Sequence, residues 1–146
     1  MFDFIIYTDG AYSRMHNEGA FAFVILDSQG NEVKHLARKI VNETNNRAEL
    51  KAIIAGVYNL PNITLSVKIV SDSQYALNTL SGKWAKNTNL DLFEAYDKIL
   101  AERNYTIEYE WVRGHSGNEH NEYCDQLCNE VLGYDANAEF QKYRKH

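Results

Sequence analysis

A short apolar run, Phe4-Ile5-Ile6-Tyr7-Thr8, leads directly into Asp9-Gly10 and so delivers a carboxylate into a glycine turn. Bulky and β-branched side chains at successive positions fit a strand buried on both faces, and such a strand lies at the centre of a sheet. Asp9 then stands where the core meets solvent. A lone carboxylate there costs desolvation energy, so a cation, a metal or several hydrogen-bond donors must offset it.

The chain beyond this strand reads as strands first and helices later. Residues 10–19 are polar enough for a hairpin connection, and Ala20 to Leu26 forms a second strand. Asp27-Ser28-Gln29-Gly30-Asn31 has turn composition, and Glu32 to Val41 is a third strand whose Lys34, Arg38 and Lys39 read as solvated edge charges. A helix begins at Asn45-Asn46, with Leu50, Ile53, Ile54 and Val57 as its core stripe, and ends at Asn59-Leu60-Pro61-Asn62. Leu65 to Val70 is a fourth strand running into Ser71-Asp72-Ser73, followed by a short helix from Ser73 to Leu80. A helix over Leu90 to Glu102, a fifth strand over Tyr105 to Val112, a loop at 113–117 and a last helix from Asn118 to Leu132 complete the pattern. The expected fold is α/β: a five-stranded mixed sheet, an antiparallel three-strand meander plus two further strands, with helices on both faces.

The 146 residues fit one domain, expected over 1–133, with 134–146 as a tail. Two readings of that tail stand, a frayed end or a basic contact with a polyanion through Lys142, Arg144 and Lys145. No apolar run approaches the roughly 20 residues needed to span a bilayer, and no secretory signal opens the chain. A soluble, cytoplasmic protein without a membrane partner is expected. Cys124 and Cys128 are four apart on an apolar helical stripe, which reads as a buried reduced pair; a zinc site with His115 or His120 lacks a second close pair of ligands. The net charge of -5 argues mildly against nucleic acid, but clustered acids that hold a metal neutralise against the ion.

Each acid has an ordinary explanation. Asn46 as N-cap with Glu49 three residues on has the form of a capping box, Asp72 could cap the helix after its strand, and Asp125 could be a surface acid flanking an apolar face. Their conjunction is harder to explain. Asp9 and Asp72 end two strands expected to be central, while Glu49 and Asp125 stand on the inner shoulders of helices packed against that sheet. Carboxylates ~4 Å apart repel by about 4 kcal/mol per pair at an effective dielectric near 20. Oxygen-seeking divalent cations offset that repulsion, and Mg²⁺ takes carboxylates together with water and phosphate oxygens.

Four segments carry a family resemblance. Tyr7-Thr8-Asp9-Gly10-Ala11, Thr44-Asn45-Asn46-Arg47-Ala48-Glu49-Leu50, Ser71-Asp72-Ser73-Gln74-Tyr75, and Trp111 to Gly117 with Asn121-Glu122-Tyr123-Cys124-Asp125 closely resemble, in order, the motifs of type 1 ribonuclease H. The resemblance covers Phe2 to about Leu132 and implies a ribonuclease H-like fold. It further implies hydrolysis of the RNA strand of RNA/DNA hybrids by two Mg²⁺ ions, with Mn²⁺ as a substitute, leaving 5′-phosphate and 3′-hydroxyl ends. By motif match Asp9 would bridge both ions, Glu49 and Asp72 would complete one side and Asp125 the other. His115 matches a mobile histidine that assists proton transfer or product release. Asn45, Asn46 and Gln74 match residues placed in the hybrid's minor groove, where amides meet 2′-hydroxyls and base edges without reading sequence. Thr44 and Arg47 match contacts to a DNA-strand phosphate, and Trp84 either stacks on a deoxyribose or covers the core.

The chain departs from many cellular members between its second and third helices. Only Ser81 to Asn89 stands where those members have an extra helix and a basic protrusion, so a compact form with salt-sensitive substrate affinity is expected. The loop after Asp9 carries Arg14 and His16 in place of a proline-glycine pattern. A monomer with no obligatory protein partner is expected. Two rivals stand beside this reading: a catalytically silent nucleic-acid-binding module, and another nuclease of the same superfamily. The first typically lacks one or more of the acids, all four of which are present; Asn45, Asn46 and Gln74 weigh against the second.

Overall fold

The computed structural model describes residues 1–63, 66–114 and 116–133. Its elements are β1 (Phe4–Ser13), β2 (Glu18–Asp27), β3 (Glu32–Val41), α1 (Asn45–Tyr58), β4 (Ser66–Ser71), α2 (Gln74–Leu80), α3 (Leu90–Glu102), β5 (Thr106–Trp111) and α4 (Glu119–Leu132). One sheet holds all five strands in the order β3-β2-β1-β4-β5. The pairs β1/β2 and β2/β3 are antiparallel, while β1/β4 and β4/β5 are parallel. The expected mixed sheet is therefore present, with β1 in its middle.

Alternation along the strands divides the apolar residues between two cores. Ile6, Phe23, Ile25, Val67 and Ile69 face Leu50, Ile53 and Val57 of α1 with Phe93 and Tyr96 of α3. On the other face Ala20, Ala22, Val24 and Leu26 pack against Cys124, Leu127 and Cys128 of α4. Helices thus cover both faces, and the cysteines are buried and reduced. At the β3 edge Lys34, Arg38 and Lys39 are exposed; Lys34 Nζ donates to Asn59 Oδ1 at 2.6 Å and Lys39 pairs with Glu18 at 2.8 Å. Charge on an open edge discourages pairing with another sheet.

Three local expectations are corrected. The first strand does not end at Gly10: Gly10, Ala11 and Tyr12 pair with Phe21, Ala20 and Gly19, and only Arg14 to Asn17 remain for the turn. Tyr12 carries this extension, since its ring is buried and its hydroxyl donates to Asn17 Oδ1 at 2.5 Å. The cap of α1 is Thr44, whose Oγ1 accepts from Arg47 N–H at 3.1 Å, so Asn46 and Glu49 do not form a capping box. The cap of α2 is Ser73, whose Oγ accepts from Ala76 N–H at 3.0 Å, so Asp72 does not cap it. A shift of the cap by two residues at α1 and by one at α2 leaves both acids clear of cap duty. Leu65, where the fourth strand was expected to begin, and the tail over 134–146 lie outside the described residues.

Candidate active site

Two parallel strands that end side by side leave a notch at their carboxyl ends, the usual place for a ligand site in sheets of this kind. Here β1 pairs with β4 only as far as Tyr7 with Val70, while its antiparallel ladder to β2 continues through Asp9 and beyond. Asp9 consequently lies just past the point where β4 leaves, inside a strand rather than at its end as the sequence implied. Asp72 follows the last residue of β4 directly.

Glu49 comes from α1, which lies unusually close to β1. A Cβ at Gly10 would stand 2.6 Å from the Ala48 carbonyl carbon, so only glycine admits this helix at this depth. That contact seats the neighbouring Glu49 in the notch. One carboxylate oxygen from each of Asp9, Glu49 and Asp72 lies within 4.8 Å of the others. Asp9 is fully buried and Glu49 is 4% exposed. At such separations each pair of charges repels by about 3 to 4 kcal/mol at an effective dielectric near 20. An all-oxygen donor set of this kind fits a hard divalent cation such as Mg²⁺ or Mn²⁺, in which carboxylates are ordinary ligands.

Asp125 is not one of that trio. It is 7% exposed on α4, between Cys124, whose thiol donates to the Tyr7 carbonyl at 3.3 Å, and Cys128, which lies 3.9 Å from the Asp9 carbonyl. Those contacts press the helix bearing Asp125 against the strand bearing Asp9. His115 lies outside the described residues.

Beside the acids opens a cleft of about 530 Å³, lined by Asn45, Asn46, Glu49, Asp72, Ser73, Gln74, Tyr75, Trp111, Arg113 and Gly114. Three of the residues expected to meet substrate, Asn45, Asn46 and Gln74, thus line one cleft. The Asn45 Oδ1 atom is buried and has no hydrogen-bond partner among the described residues. Such an acceptor is costly to bury unless a ligand or water supplies a donor.

Other expected contacts are placed differently. Thr44 is exposed, but its hydroxyl oxygen serves the helix cap. Arg47 forks onto Asp91, with Nη1 to Oδ1 at 2.9 Å and Nη2 to Oδ2 at 2.8 Å, and its Nε donates to Glu43 at 3.1 Å. The Asp91 hydrogen bonds raise the Arg47 pKa, and Arg47 in turn lowers the Asp91 carboxyl to about 2. Trp84 is 48% exposed on the connection between α2 and α3 and does not line the cleft. Residue-by-residue reading passed over Tyr75, Trp111 and Arg113 as cleft walls. Trp111 and Arg113 belong to the segment that carried the resemblance, and only the structure brings them into the lining of one opening with Asp72 and Glu49.

The family model for RNase H matches residues 2–132, almost all of the described chain. The chain belongs to the ribonuclease H family. A ribonuclease H from Clostridium botulinum is 32% identical over 145 residues, covering 88% of this chain and 94% of that protein. Another from Syntrophus aciditrophicus is 36% identical over 143 residues, covering 88% of this chain and 80% of that one. Among solved structures, LC11-RNase H1 in complex with an RNA/DNA hybrid superposes with a TM-score of 0.75 at 26% identity, covering 89% of this chain and 96% of its own. The ribonuclease H fold and enzyme class inferred from the motifs are therefore those of this chain, in a compact form with a short link between α2 and α3. No helix among the described residues is long and apolar enough to cross a membrane.

Proposed function

We propose that this ribonuclease H cuts the RNA strand of RNA/DNA hybrids at a site where Asp9, Glu49, Asp72 and Asp125 would hold two divalent cations, Mg²⁺ with Mn²⁺ as a substitute. The reading is carried by the trio of carboxylates within 4.8 Å of one another, two of them buried and one half-buried, brought together from β1, α1 and the end of β4. Divalent cations, when bound, stabilise charge on the phosphoryl oxygens and lower the pKa of water for in-line attack. Cleavage of the P–O3′ bond then leaves a 5′-phosphate and a 3′-hydroxyl.

The chain's own residues supply position and selection. Asp9 on a strand and Glu49 on a helix hold their carboxylates on rigid elements, which preorganises the site. Asn45, Asn46 and Gln74 present amides along the cleft, and the buried Asn45 Oδ1 is an acceptor suited to a 2′-hydroxyl donor, the group that distinguishes RNA from DNA. Thr44 stands at the N-terminus of α1, where helix N–H groups favour a DNA-strand phosphate, and Arg47 reaches such a phosphate by exchanging Asp91 for it. Trp84 offers a half-exposed ring for stacking on a deoxyribose. His115 relays a proton or assists product release. The enzyme acts as a cytoplasmic monomer.

The test is cleavage of end-labelled RNA, annealed to DNA, annealed to RNA or left single-stranded, with Mg²⁺ and with chelator. Cutting confined to RNA within the hybrid, lost with chelator and leaving ligatable 5′-phosphate ends, is expected. Cutting of duplex DNA with the hybrid left whole would instead assign the site to another nuclease of the superfamily.

A further inference from the structure

Both tryptophans of the chain are about half exposed, Trp84 at 48% and Trp111 at 45%. An indole carries a large apolar area and is usually well buried, so one held in a fixed place at the surface calls for an account of its ring or its N–H. Trp111 ends β5, the edge strand, and pairs with Ser71 in the parallel ladder. From there its Nε1–H donates to the main-chain carbonyl of Asp72 at 3.1 Å. The ring lines both the 530 Å³ cleft holding Glu49 and Asp72 and a neighbouring cavity of about 350 Å³ formed with Leu77, Lys83 and Tyr109.

The three clustered acids come from different kinds of element. Asp9 belongs to a central strand and Glu49 to a helix packed against it, whereas Asp72 lies between elements, after β4 and before the cap of α2. Of the three, Asp72 alone lies outside regular secondary structure. Val112 N–H donates to the Ser71 carbonyl and Ser73 N–H to Ser71 Oγ, each at 3.0 Å, which fixes the residues on either side. The indole bond is made to Asp72 itself.

We propose that Trp111 is a positioning residue: its indole N–H holds the Asp72 peptide so that this carboxylate stays with Asp9 and Glu49 before a cation arrives. The proposal rests on the reading of the acids as a cation site. It gives the exposed ring a role distinct from stacking on substrate, and it separates the N–H from the ring face.

Thermal unfolding measured against Mg²⁺ concentration tests it directly, because a ligand that binds only the folded chain raises Tm. Trp111→Phe keeps a ring and removes the donor. In that variant the Mg²⁺ concentration needed for a given Tm rise should increase about tenfold, with kcat on the hybrid falling comparably and KM within about twofold of the parent. In Trp84→Phe, where Trp111 is the remaining indole, Mg²⁺ should change the emission over the concentrations at which Tm begins to rise. A Trp111→Phe variant that matches the parent in Tm rise at every Mg²⁺ concentration and in kcat overturns the proposal. So does a rise in KM confined to Trp111→Ala, which makes the ring a stacking surface, or an emission in Trp84→Phe indifferent to Mg²⁺. A parent whose Tm ignores Mg²⁺ overturns the cation reading itself and is recognised before any variant is compared.

Discussion

At the scale of single residues, Gly10 decides whether α1 can reach the sheet. Its missing Cβ leaves room for the Ala48 main chain at a separation no side chain tolerates. Gly10→Ala forces helix and strand apart and displaces Glu49 from Asp9. Overpacking of this kind costs about 1 to 3 kcal/mol, so a drop in Tm together with loss of metal-dependent activity is expected; a variant with the parent's Tm and activity would show that the close approach is dispensable. His115 belongs to a different category. If it acts as the proposed auxiliary in proton transfer or release, it should be partly replaceable by water or buffer. His115→Ala should slow turnover by about 10²- to 10⁴-fold, the usual share of one general acid or base. Loss as complete as that from removing a metal-binding acid would contradict an auxiliary role.

At the scale of elements, the N-terminus of α1 joins fold to site. Thr44 caps the helix that carries Asn45, Asn46 and Glu49, and Arg47 ties its first turn to the start of α3 through Asp91. Thr44→Ala should lower stability by about 1 kcal/mol, measured as a shifted denaturant midpoint with unchanged slope. The Arg47–Asp91 pair predicts a pH dependence. Asp91 titrates near 2 in the folded chain against an ordinary 3.8, so its contribution is whole above about pH 4 and is lost as the pH falls toward 2. Asp91→Asn should therefore unfold more easily than the parent at pH 7, by a modest margin because Asp91 is exposed, and the margin should close below pH 4. A margin that stays constant across that range would remove the ion pair from the stability of this element.

The whole molecule explains why so much was legible in the chain and where legibility stopped. Apolar period separated strands from helices, and the buried β1 announced a central strand, so the order of elements and the mixed sheet followed from pattern alone. The helix starts misled because Thr44, Asn46, Asp72 and Ser73 are all competent caps, and only the path of the chain selects among them. The extension of β1 to Ser13 was hidden because Ala11-Tyr12-Ser13 lacks apolar alternation while Tyr12 is nonetheless buried by its turn. The acids were found by their shared oddity, yet their meeting depends on a glycine contact and on the divergence of β1 from β4, neither of which is written in residue spacing. Arg47 shows the converse: the motif match implies a phosphate contact, whereas tertiary packing supplies Asp91 as its partner.

Asp9 and its neighbours are proposed as the cation site that cuts RNA paired with DNA. Asp9→Asn tests it most directly, since the substitution keeps size and removes one charge from the cluster. Measured side by side with the parent, cleavage of end-labelled RNA in the hybrid and binding of the same hybrid should separate: cutting in Mg²⁺ abolished, binding retained. Turnover equal to the parent's would take Asp9 out of the chemistry and with it the account of the site given by the three acids.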